Sequence, residues 1–117
     1  MRINKFIDFP FRVKRNVNKF NSLIPFEEML NKKEIDFICY IITNTRQYIL
    51  DLKRIKLFHF KYMMYIILEN MNKQNLLKYL DKVNKKTLEK YKSELTEIYI
   101  KLYIEYYKNN ESILYNV

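Results

Sequence analysis

Glycine, alanine and tryptophan are absent from this 117-residue chain, proline occurs at two positions and cysteine at one. The lack of glycine excludes the loops that wrap a phosphate or a dinucleotide, because the backbone there must approach its ligand with no Cβ in the way. A single cysteine, Cys39, excludes an internal disulfide and a thiolate zinc site, and fits a reducing compartment. The longest nearly unbroken apolar run, Tyr62 to Leu68, falls far short of the roughly 20 residues that span a bilayer. At the N-terminus, Arg2, Lys5 and Asp8 interrupt the apolar residues, so no continuous core of a secretory signal is present. These absences predict a soluble protein of the cytoplasm or nucleus with no membrane partner.

Lysine, asparagine, isoleucine, tyrosine and phenylalanine abound instead, a bias that AT-rich codons favour. The net charge of +9 points to a polyanionic partner, although codon bias alone would raise lysine. Distribution is the better witness. Residues 1–24 carry six cations (Arg2, Lys5, Arg12, Lys14, Arg15, Lys19) against Asp8, whereas residues 86–117 balance five lysines with five glutamates.

Phe9, Phe11 and Val13 alternate with Pro10, Arg12 and Lys14, a period of two that predicts a short extended segment, demoted by Pro10 to an edge or an arm. Pro25 followed by Glu27 and Glu28 marks a helix start, with a short helix running to about Leu30 or Asn31. Ile35, Ile38, Ile42, Thr45, Ile49 and Leu52 then fall at spacings of three and four, predicting a long amphipathic helix over 33–53. Helical spacing resumes from Phe60 through Met63, Met64, Ile67, Leu68 and Met71, continues as a shorter helix at Leu76, Leu77, Leu80 and Val83, and ends in the longest helix, from Leu88 to Tyr106. Without glycine, asparagine is the residue left to accept positive φ at the joints, and Asn31, Asn72, Asn75, Asn84, Asn109 and Asn110 stand there.

The expected fold is therefore all-α, a single domain over 1–117. It comprises a small four- to five-helix bundle (25–110), preceded by a basic, partly extended N-terminal arm (1–24) and followed by a tail (111–117).

Catalytic constellations are sparse. Cys39 lies in the apolar run Phe37-Ile38-Cys39-Tyr40-Ile41, where a thiol behaves as a small hydrophobe, so a dyad with the lone histidine, His59, is not expected. Glu94 with Glu97, and Glu34 with Asp36, lack converging histidines or aspartates, so no metal site is expected. Arg54-Ile55-Lys56-Leu57-Phe58-His59 is similar to the R-x(4-6)-H signature of HEPN-type ribonucleases, small all-helical proteins. That resemblance implies that His59 would serve as general acid or base and Arg54 would hold the phosphate at a dimer interface. Ile55 departs from the family, where a polar residue normally follows the arginine. The alternative is that His59, between Phe58 and Phe60, edges an aromatic cluster and makes one ordinary hydrogen bond.

The basic-aromatic N-terminus carries the stronger signal, since phosphate contacts from Arg and Lys give affinity without demanding a fold. Arg2, Lys5, Arg12, Lys14, Arg15 and Lys19, with Lys53, Arg54, Lys56 and Lys61 from the middle of the chain, are the candidate phosphate contacts. Phe9, Phe11 and Tyr107 are the candidate partner contacts. The tyrosines of the last helix are expected to be mostly core or interface residues, with base stacking as the alternative. The expected function is a non-enzymatic, RNA-associated protein, an accessory or silencing component of a ribosome or similar particle. It would touch rRNA and neighbouring proteins and use no cofactor or small-molecule substrate. The alternatives are a helical protein-interaction subunit or inhibitor, and the HEPN-like ribonuclease.

Overall fold

The computed structural model describes residues 5–51 and 60–115, with the side chains of residues 9–46, 48, 49 and 60–109. Among these residues four helices make an all-α bundle: α1 (Lys5–Asn21), α2 (Lys32–Asp51), α3 (Phe60–Asn70) and α4 (Lys85–Tyr115), with 3-10 turns at Phe26–Glu28 and Gln74–Tyr79. No strand occurs among the described residues. α1 packs on α2, α2 on α3 and α4, and α3 on α4 and on the second 3-10 turn.

The N-terminal segment expected to be extended is instead helical, with Pro10 inside α1. Val13, Val17 and Phe20, and Ile24 just beyond the helix, are buried, a spacing of four, three and four that lines one helical face. Burying these side chains is worth roughly 1.5–3 kcal/mol each, which outweighs the about 3 kcal/mol that an interior proline costs. Phe11 decides between the two patterns. A strand would have put it beside Phe9 and Val13, yet it is 73% exposed. The described part of this segment, from Lys5 onward, is thus a structural helix with one face in the core, not a free arm.

Pro25 stops the chain after α1, and the segment to Asn31 forms only a short 3-10 turn. Asn21 spans that segment. Its buried amide accepts from Leu30 N–H at 2.8 Å and donates to Leu30 C=O at 3.3 Å, as a paired strand residue would. α2 opens with a reciprocal cap: Glu34 N–H donates to Asn31 Oδ1 at 2.8 Å, and Asn31 N–H to Glu34 Oε1 at 2.9 Å. α3 is buried nearly all round through Tyr62, Met63, Met64, Ile66, Ile67 and Leu68, a larger share of its length than in any other helix.

α3 ends where Asn72 takes φ 61°, the only positive value among the described residues, and Lys73 N–H reaches back to Leu68 C=O at 2.8 Å. Asn31 and Asn84 serve differently from the expectation. They are N-caps, and Asn84 Oδ1 accepts from Thr87 N–H at 3.1 Å. The helix expected over Leu76–Val83 is a 3-10 turn ending at Tyr79. Leu80 just beyond it is extended, with ψ 151°, so the chain leaves the helical path before Val83. α4 runs on through Asn109 and Asn110 to Tyr115, so residues 111–115 of the expected tail are helical; no proline or glycine interrupts them.

Candidate nucleic-acid interface

With Val13, Val17 and Phe20 turned inward, the opposite side of α1 presents Arg12, Arg15 and Lys19 at spacings of three and four, while Lys14 lies on the other flank, toward Cys39 of α2; all four are exposed. Arg12 and Lys19 stand seven residues apart, so about 10 Å of helix axis separates them. No ion pair among the described residues engages any of these four cations. Three lysines elsewhere are compensated: Lys73 pairs with Glu34 at 3.0 Å, Lys92 with Glu69 at 3.2 Å and Lys101 with Glu97 at 3.9 Å. Surface pairs of this kind contribute little stability, but they cancel the local field. The field of α1 is not cancelled in this way.

Lys61, at the start of α3, meets Lys19 across a groove of about 260 Å³ floored by Phe20 and Phe60 and edged by Asp81. Its Nζ donates to the Lys82 carbonyl at 2.9 Å, which fixes the ammonium there. Phe11 lies one turn before Arg15 on the open face. Phe9 is half-buried, with the Arg46 guanidinium 4.8 Å from its ring centroid, so its ring is engaged by its own bundle. Phe20, part of the same basic-aromatic pattern, is in the core. The fold therefore gathers Arg12, Lys14, Arg15 and Lys19 on one helix and brings Lys61 beside Lys19. Lys5 lies in α1 with its side chain outside the described set. Arg2, Lys53, Arg54 and Lys56 lie outside the described residues, as does His59.

A second feature forms where α2, α3 and α4 meet. Phe37 of α2 receives Tyr99 and Tyr103 edge-on, at centroid distances of 6.1 Å and 6.0 Å, and Tyr106 at 5.1 Å. Tyr107 lies 6.1 Å from Phe37 and 4.7 Å from Tyr103. Burial, helped by the neighbouring Tyr103 and Tyr107, pushes the Tyr99 hydroxyl up to about 12. Tyr103 and Tyr107 remain 43% and 47% exposed and line a groove of about 370 Å³. The crowd of tyrosines is visible in the sequence, but the hub, Phe37, is not. Nothing local marks a phenylalanine whose partners lie more than sixty residues away.

Two further titratable groups among the described residues have shifts with a clear cause. Burial, with Asp36 adding to it, pushes the Cys39 thiol up, the direction that suppresses thiolate. The Glu28 carboxylate is held low because it accepts from Asn75 Nδ2 and from the Tyr79 hydroxyl, both at 3.0 Å, contacts that join the two 3-10 turns. Among the described residues no group of histidine, cysteine and carboxylate side chains could hold a metal ion, and no helix is long and apolar enough to cross a membrane. No protein family, curated protein or solved structure matches this chain.

Proposed function

We propose that this protein is a non-enzymatic, RNA-associated module that docks on phosphates through the open face of α1, as an accessory or silencing component of a ribosome or a similar ribonucleoprotein. One observation carries the reading. Arg12, Lys14, Arg15 and Lys19 are exposed and outside every ion pair among the described residues, on a helix whose other face is locked into the core. A fixed helix leaves no backbone to order on binding, and bidentate arginine suits phosphate oxygens. Counterion release then makes the association salt-dependent.

The test is sedimentation of the tagged protein with ribosomal particles from its native extract across a salt series. Retention at low salt and steep release as salt rises support the proposal. Sedimentation as a free protein at every salt concentration overturns it.

A protein-interaction module is the second reading, favoured by α4. Ile100 and Ile104 are 49% and 59% exposed on the side away from Leu95, Ile98 and Leu102. The ribonuclease alternative rests on Arg54 and His59. A cleavage assay of the wild type beside Arg54→Ala and His59→Ala decides it.

A further inference from the structure

The tyrosine groove combines three properties rarely met together on a surface. Its floor is rigid, because Phe37 and Tyr99 are buried and meet at an interplanar angle of 89°. Its wall offers two half-exposed rings, Tyr103 and Tyr107, each already packed against other rings and so held in place. Its rim is cationic: Lys33 is exposed and enters no ion pair among the described residues, while Glu34, the one carboxylate lining the groove, is committed to Lys73 and to the Asn31 cap. A cationic ligand would meet Lys33 with the nearest carboxylate already spent. A purely apolar ligand would strand the tyrosine hydroxyls and the Asn72 amide.

A flat, polar-edged group carrying a negative charge satisfies all three. A nucleobase has a face for the rings, an edge for the hydroxyls and a phosphate for the ammonium. The volume of about 370 Å³ lies within the range of ligand sites and leaves room for one base. We propose that this groove receives an unpaired base of single-stranded RNA, stacked on Tyr103 and Tyr107 with Lys33 on the adjoining phosphate. Duplex RNA keeps its bases in the stack and cannot fill it. The inference rests on the reading of the protein as RNA-associated, but it uses a different element from α1.

Because tryptophan is absent, all intrinsic fluorescence comes from tyrosine, and a base stacking in the groove should quench it. The experiment titrates the full chain with oligouridylate and with an abasic ribose-phosphate chain of equal length, at matched low salt. The proteins are the wild type, Tyr103→Leu/Tyr107→Leu, Tyr103→Phe/Tyr107→Phe and Arg12→Gln/Arg15→Gln, with helicity and sedimentation checked for each. Loss of the stacked base predicts about 10- to 100-fold weaker oligouridylate binding for the leucine pair, and near wild-type binding for the phenylalanine pair. Abasic binding should be the same in the wild type and both tyrosine variants.

Equal affinity of the wild type for the two chains overturns the groove, as does a leucine pair that binds oligouridylate normally. The groove also fails if the leucine pair changes only the oligomeric state, which would make this face a contact between copies. The Arg12→Gln/Arg15→Gln protein separates the two readings. If it weakens both chains alike, the α1 proposal stands whatever the groove does. If it weakens neither while the leucine pair does, the groove stands and α1 fails. Absence of binding by the wild type at low salt ends both.

Discussion

The Asn21 side chain pairs with both backbone polar groups of Leu30, closing a nine-residue excursion with two hydrogen bonds in a buried setting. This contact sets where α1 ends relative to where α2 begins. Asn21→Ala would leave Leu30 N–H and C=O without these partners, and Asn21→Leu would add a methyl clash. Alanine should cost about 1–3 kcal/mol in a urea melt. Unchanged stability would show that the clamp is dispensable.

Pro10 interrupts the hydrogen bonding of α1 while sitting exposed on its surface. Pro10→Ala restores the missing N–H and removes the ring, so stability should rise, by up to about 3 kcal/mol. Circular dichroism of thermal unfolding would register it. A fall would mean that the residue is needed where it is.

Glu28 has its pKa depressed by Asn75 and Tyr79, so its contribution to stability is present above the carboxylate range and is lost as pH falls through it. Glu28→Gln should therefore flatten the acid limb of the stability curve. Denaturant midpoints collected from neutral pH downward for both proteins give the comparison. Parallel curves would contradict the assignment.

Tyr99 shifts the other way, to about 12, so it contributes in full below the ordinary tyrosine range and progressively less as pH climbs from there toward about 12. In Tyr99→Phe the alkaline decline should begin later and be shallower. An ultraviolet titration of the wild type should also find a step at about 12, beyond the smaller upward shifts of Tyr40 and Tyr79, and that latest step should vanish in the variant.

Replacing Arg12, Arg15 and Lys19 with glutamine should leave the fold intact, since all three are exposed. The slope of log affinity for RNA against log salt should shrink by about 0.7–0.9 for each phosphate that the protein no longer neutralises. A slope that ignores the substitutions would remove α1 from the interface.

The bundle was legible where the apolar period ran long. α2 and α4 each keep spacings of three and four over many turns, and their starts fall near the predicted positions. α1 misleads because the alternation at Phe9, Phe11 and Val13, together with Pro10, imitates a strand over five residues. The decisive helical spacing to Val17 and Phe20 lies further along. Local propensity yields to tertiary burial there. At the joints, asparagine is the right residue with two different uses, one positive-φ turn at Asn72 and caps at Asn31 and Asn84. Residue type alone does not separate these uses. Of the candidate interface, the cations were readable from charge asymmetry. Their arrangement on one rigid helix, and the Phe37 hub beneath the tyrosines, depended on contacts between distant segments.

α3 has almost no wet side, and that shapes how the molecule comes undone. Every neighbouring element uses it as a wall, so peeling away any one of them exposes its methionines and isoleucines at once. Backbone amides along 62–68 should be the last to swap deuterium, at a rate set by whole-molecule opening, while those of the 3-10 turn at Phe26–Glu28, which buries no side chain, trade much sooner.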